Sequence, residues 1–174
     1  MRGSDTAAKR KAKIEMILWK APLIVALGAA LAGPALAPLA VQAEDCQGNP
    51  GPAKLSIVVE GVPSNKGLMT ASLYPGDKSQ FLIKNGALKV WSVPAQAPTS
   101  RMCIWLPRGP GTYAVAVYHD ANSNHRLDIG MFGPTEAYGF SNNPRIMFAK
   151  PSFDSVKFQA RAGETTVHVR LNHP

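Results

Sequence analysis

Beyond residue 54, apolar and polar residues alternate with a period of two along most of the chain. Leu55, Ile57 and Val59 share one face of a first predicted strand, and Met69, Ala71 and Leu73 share one face of a second. Between them, Pro63-Ser64-Asn65-Lys66-Gly67 reads as a turn. Leu88 and Val90 begin a third strand, Met102, Ile104 and Leu106 mark a fourth, and Gly111-Thr112-Tyr113 opens a fifth. Val156-Phe158-Ala160 and Val167-Val169-Leu171 supply the last two. Lys157, Gln159 and Arg161, with His168, Arg170 and Asn172, fall on the opposite faces and read as solvent-facing. About seven short strands with Gly and Pro turns predict an all-β fold, an immunoglobulin-like or transthyretin-like sandwich of two sheets.

The fifth strand breaks the alternation. Tyr113-Ala114-Val115-Ala116-Val117-Tyr118 is apolar on both faces, so a second layer must cover it. The chain that follows is the natural cover. Residues 121–153 carry no strand pattern and exceed an ordinary connection in length. They hold five of the thirteen aromatic residues, Phe132, Tyr138, Phe140, Phe148 and Phe153, which predicts a folded excursion (120–153) packed on the sheet. A helical turn is expected at Pro134-Thr135-Glu136-Ala137, ended by Gly139, and another at Ser79-Gln80-Phe81-Leu82.

The N-terminal quarter follows a different pattern. Lys9, Arg10, Lys11, Lys13 and Lys20 precede an uncharged stretch from Ala21 to Ala43, rich in Ala, Leu, Val and Pro. Basic, apolar and small residues in that order predict a signal peptide cut between Ala43 and Glu44, leaving a domain of residues 44–174. Met16 is a conventional start for such a peptide. A retained membrane helix is disfavoured by Pro22, Pro34, Pro38, Gly28 and Gly33. The implied location is periplasmic or secreted, with no stable membrane insertion after cleavage.

Export changes the reading of charge. Six of the nineteen basic residues and two of the eleven acidic ones precede Glu44, so the net charge falls from +8 to +4. With no basic block left, nucleic acid is not an expected partner. Cys46 and Cys103 both survive the cut, and in an oxidising compartment they predict one disulfide.

The sharpest local motif is Asp120-Ala121-Asn122-Ser123-Asn124-His125-Arg126-Leu127-Asp128. Side-chain oxygens stand at positions 1, 3, 5 and 9, with the Arg126 carbonyl at position 7, the spacing of a calcium loop of EF-hand type. Position 6 is His125 rather than Gly, position 12 is Met131 rather than Glu, and Glu136 lies five residues late. The same residues suit an Asx-rich turn bonded only to its own backbone. His119, Asp128 and Glu136 are the candidates for an enzymatic site, should they converge in a pocket. Tyr138-Gly139-Phe140-Ser141-Asn142-Asn143-Pro144 sets aromatic rings beside amides, which suits either a contact surface or a self-packed loop. His119, Glu136, Tyr138, Phe140, Asn142 and Asn143 are therefore the candidate contact residues.

The run Gly111–Val117, then His119-Asp120, Asn122, Asn124, Leu127-Asp128, Gly133, Glu136, Tyr138–Asn143 and Pro151-Ser152-Phe153 resembles family 2141 of the bacterial domains of unknown function. The resemblance extends over roughly Leu55 to Leu171, with Gly usual in that family where His125 stands. It implies a small exported β domain and assigns no activity. The expectation is an exported, non-enzymatic sandwich that contacts an envelope component or partner protein through 120–153, with calcium as a candidate ligand. The alternatives are a structural envelope protein and an enzyme built on His119, Asp128 and Glu136.

Overall fold

The alternating segments pair into two facing sheets. The structure is a computed structural model that describes residues 46–146 and 149–174; the expected signal peptide, its cut and the start at Met16 lie outside the described residues. In chain order the elements are β1 (Ala53–Glu60), β2 (Leu68–Pro75), a 3-10 turn (Lys78–Gln80), β3 (Lys89–Pro94), β4 (Thr99–Trp105) and β5 (Gly111–Asp120). They continue with β6 (Ile129–Gly130), β7 (Gly133–Pro134), β8 (Tyr138–Phe140), α1 (Phe153–Val156), β9 (Phe158–Ala160) and β10 (Gly163–Arg170). One sheet runs β10-β1-β4, the other runs β3-β2-β5 with β8 and β9 both on the far edge of β5, and β6 pairs β7 as a small hairpin.

Alternation places the core. In the first sheet Ile57 stands opposite Met102 on β4 and Val167 on β10; in the second, Ala71 stands opposite Trp91 and Val117. These six residues belong to one buried cluster with Leu55, Val59, Met69, Leu73, Ile104, Val115 and Val169, so the inner faces of both sheets meet there. β1 is flanked on both sides and reads buried, half-buried, buried along its length.

Three local expectations are corrected. Val90 does not face the core: it is 55% exposed, and Trp91 is 5% exposed in its place. A shift of one residue exchanges the faces of a strand, and here Lys89, not Leu88, is the first residue of β3. Val156 ends α1 rather than opening a strand, after Ser152 caps that turn by accepting from the Ser155 N–H at 3.3 Å. No helical turn forms at 134–137. Pro134 lies in β7, and the Thr135 N–H is drawn to the Asp128 carbonyl at 2.9 Å, so the chain bends at Thr135 and Glu136 on its way into β8. The other expected turn forms one residue early, at Lys78–Gln80, where Asp77 caps it through the Ser79 N–H at 2.9 Å.

The excursion covers the second face of β5, as its doubled apolar pattern requires. Ala114, Tyr74, Phe140, Phe153 and Val156 form a second buried cluster there, with Phe81 edge-on to Tyr74 and Phe153. β9 pairs with Gly111–Tyr113 and β8 with Ala116–Tyr118, so a gap falls between them. Ser141 fills it. Its N–H donates to the Val115 carbonyl at 3.0 Å, and its hydroxyl accepts from the Val115 N–H at 3.0 Å while donating to the Val156 carbonyl at 2.6 Å. Beyond β10, Asn172 exchanges two backbone bonds with Tyr138, so β8 also ties the two sheets together. A Cβ at Gly139 would meet the Arg170 carbonyl and Val169 at 2.7 Å, which leaves only glycine at this crossing.

Cys46 and Cys103 are joined in a disulfide. It seats the first described residues on the edge of β4, where Gln47 donates to the Cys103 carbonyl at 3.1 Å and accepts from the Trp105 N–H at 2.9 Å. Closing a loop of this length removes unfolded-state freedom equivalent to about 4 kcal/mol in the chain-entropy description.

Candidate functional site

β5 ends at Asp120, and the nine-residue motif begins there. Asp120 is fully buried, and its carboxylate receives two backbone donors: Asn124 N–H on Oδ1 at 2.9 Å and His125 N–H on Oδ2 at 2.7 Å. The loop turns through Ser123 and His125, both with positive φ, so His125 does adopt the left-handed conformation that the motif's missing glycine would supply. Gly67 backs the loop. A Cβ there would lie 2.0 Å from the Asp120 carbonyl oxygen.

The remaining polar groups satisfy one another. Asn122 Oδ1 accepts from the Asn124 N–H at 3.1 Å, and Asn124 Oδ1 accepts from the Arg126 N–H at 3.0 Å, two Asx turns in succession. Their amide NH2 groups point the other way, to Asp128: Asn122 Nδ2 at 2.7 Å, and Asn124 Nδ2 at 3.0 and 3.1 Å from its two oxygens. These amides, with Arg126 adding a weaker attraction, hold the Asp128 carboxyl below the usual carboxylate range.

The geometry bears directly on calcium. The side chains at positions 3, 5 and 9 converge, but positions 3 and 5 turn N–H donors toward the carboxylate at position 9. A cation there would meet hydrogens where it needs oxygens, unless both amides turned over and released the two Asx turns. In this arrangement the residues do not fit a calcium ion. Among the described residues no group of three or more His, Cys, Asp or Glu is placed to hold a metal.

Glu136 does return to the loop, in another role. It is 9% exposed; Oε1 accepts from the Ala121 N–H at 3.0 Å and Oε2 from the Asp128 N–H at 3.1 Å. One side chain thus clamps both ends of the motif. His119, 3% exposed, pairs through Nε2 with the Lys66 carbonyl at 2.7 Å. His119, Asp128 and Glu136 are each engaged with the main chain or with amides, and none of them lines the open depressions around Phe153–Gln159, Pro144–Ser155 or Gly48–Gly109.

The aromatic patch faces inward. Phe140 is 8% exposed in the second cluster, and Tyr138 lies half-buried edge-on to it. Asn142 donates to the Lys157 carbonyl at 2.7 Å. Asn143 donates to the His168 carbonyl at 3.1 Å and accepts from the Arg170 N–H at 2.6 Å, capping the outer edge of β10 with a side chain in place of a strand. These residues build the excursion.

The large apolar side chains that the excursion exposes lie elsewhere. The β6–β7 hairpin carries Ile129 at 71% exposure, Met131 at 92% and Phe132 at 100%. Pattern reasoning missed them because an apolar residue is ordinarily assigned to a core. The available clue was the run Ile-Gly-Met-Phe-Gly, apolar without alternation and with a glycine on each side of Met131-Phe132. Ile83 and Val90, each 55% exposed, stand singly and need no special account.

No curated protein and no solved structure matches this chain. A family described as an uncharacterized protein conserved in bacteria matches residues 57–168, which takes in the second half of β1 through most of β10, with the motif, the clamp and the hairpin. The chain belongs to that family, the domain of unknown function DUF2141.

Proposed function

We propose that this chain is an exported, non-catalytic sandwich domain that contacts a component of the bacterial envelope through its 120–153 excursion. The observation that carries the reading is the exposure of Ile129, Met131 and Phe132 on a hairpin whose base is bonded down by Asp120, Asp128 and Glu136. Burying a side chain of this size is worth about 1.5–3 kcal/mol. A fold that buries Ala137, Phe140 and Phe153 of the same excursion and leaves these three in water displays them to something outside itself. The disulfide supports an oxidising compartment, as does the apolar leader before Glu44. The engagement of the His119, Asp128 and Glu136 side chains with main-chain groups and amides supports a role without catalysis. Calcium is not required for this reading, because the loop is held by its own hydrogen bonds.

The test is fractionation of bacteria expressing the full chain or its Met131→Ser/Phe132→Ser variant. The wild type is expected with the envelope, and the variant in the soluble exported fraction. An unchanged distribution would return the protein to the class of structural envelope proteins with a self-packed excursion.

A further inference from the structure

We propose that the Ile129–Phe132 tip seats the domain reversibly on a lipid bilayer whose surface carries anionic phosphate headgroups; the proposal rests on the contact reading above and names its partner. Shape is the first argument. Met131 and Phe132 form the turn between two-residue strands, paired Ile129 to Pro134 and Gly130 to Gly133, so the apolar surface is a convex tip. Area is the second. A large aromatic buries roughly 150–250 Å², so three side chains together fall short of the roughly 800 Å² that each partner gives to a stable protein interface. A bilayer needs no complementary groove and accepts a small wedge at the boundary between headgroups and acyl chains.

Charge is the third argument. Two of the loop's acidic groups, Asp120 and Glu136, turn inward, while Asp128 keeps 32% of its side chain exposed. Asp120 is fully buried and Glu136 is 9% exposed, each spent on two backbone N–H groups, and Asp128 accepts the Asn122 and Asn124 amides. Arg126, three residues before Ile129, keeps 78% of its side chain exposed while its Nε lies 3.6 Å from Asp128 Oδ1, and His125 is exposed beside it. An outward cation next to an apolar tip matches a phosphate layer above hydrocarbon. The stem is fixed as well: the Thr135 N–H donates to the Asp128 carbonyl at 2.9 Å, so the tip meets a surface already formed.

The experiment is vesicle flotation of the full chain, expressed in an export-competent bacterium and recovered in its processed form. Wild type and Met131→Ser/Phe132→Ser are compared at the same N-terminus, on phosphatidylglycerol/phosphatidylethanolamine vesicles and on phosphatidylcholine alone. Met131 and Phe132 are 92% and 100% exposed, so matching melting midpoints serve as the folding control. Expected are binding to the anionic vesicles, a loss of about tenfold or more in the double variant, and weaker binding for Arg126→Gln and in raised salt. Wild type that floats no better than the double variant overturns the proposal. A protein adduct from a photoreactive residue at position 132, found together with no vesicle binding, also overturns it and leaves the contact reading standing. No vesicle binding and no adduct overturns both.

Discussion

The Asp128 N–H donates to Glu136 Oε2 at 3.1 Å, across eight residues of chain, and this bond closes the loop that the hairpin grows from. The other Glu136 oxygen holds Ala121. A carboxylate expected five residues too late to complete a calcium loop serves as its covalently tethered lock. Glu136→Gln keeps the shape and presents an NH2 to one of the two N–H donors. We expect a loss of about 1–3 kcal/mol, read as a fall of several degrees in the melting midpoint.

Asp120 is the second lock, and the Asn122 and Asn124 amides face Asp128 with their N–H groups. The expected wild-type midpoint is therefore the same in EDTA and in excess calcium. Asp120→Ala should lower it equally in both, by about 1–3 kcal/mol for the two stranded N–H groups. A calcium-dependent rise of several degrees, abolished by Asp120→Ala, would show that the amides turn over to bind the ion.

Protonation of Asp128 gives a pH dependence with a definite sign. Its folded carboxyl lies below the unfolded value because the Asn124 and Asn122 amides and then Arg126 favour the charged form. That contribution is complete above the unfolded value of about 3.9 and disappears as pH falls through the lower folded value. In urea titrations over the acid range, Asp128→Asn should trail the wild type near neutrality and approach it in acid. A gap constant with pH would contradict this.

Gly139 and Gly133 make a matched pair. A Cβ at Gly139 would lie 2.7 Å from the Arg170 carbonyl, whereas one at Gly133 meets nothing within 4 Å, although its φ of +131 strains any L side chain. Gly139→Ala should cost the domain about 1–3 kcal/mol by forcing β8 away from β10. Gly133→Ala should strain only the hairpin, which chemical denaturation would register as the smaller loss.

Reduction removes the bridge from Cys46 to Cys103 and frees Gln47 from β4. Cys103→Ser is expected to lose about 2–4 kcal/mol. Alkylation of the denatured, unreduced protein should label no cysteine; two labelled thiols would remove the bridge and with it one support for export.

The sandwich was legible wherever one face of a strand is buried and the other wet, as along Val167, Val169 and Leu171 between His168 and Arg170. It was illegible where both neighbours are apolar: Val90 and Trp91 compete for one inward position, and the larger ring wins it. The loop showed its polar residues by spacing but not their partners. Glu136 reaches Ala121 across fifteen residues, and Asn143 reaches β10 across more than twenty, contacts that no local pattern encodes. Met131 and Phe132 were hidden for the opposite reason, since their apolar character points to a core and their position beyond a hydrogen-bonded base puts them outside it.

The most direct measurement is site-specific photo-crosslinking in living bacteria, with a photoreactive phenylalanine analogue at position 132 and, as control, at Thr166 on the exposed face of β10. Contact through the hairpin predicts an envelope adduct, lipid for a bilayer seat, from position 132 and little from 166. Equal or absent labelling at the two positions would contradict it.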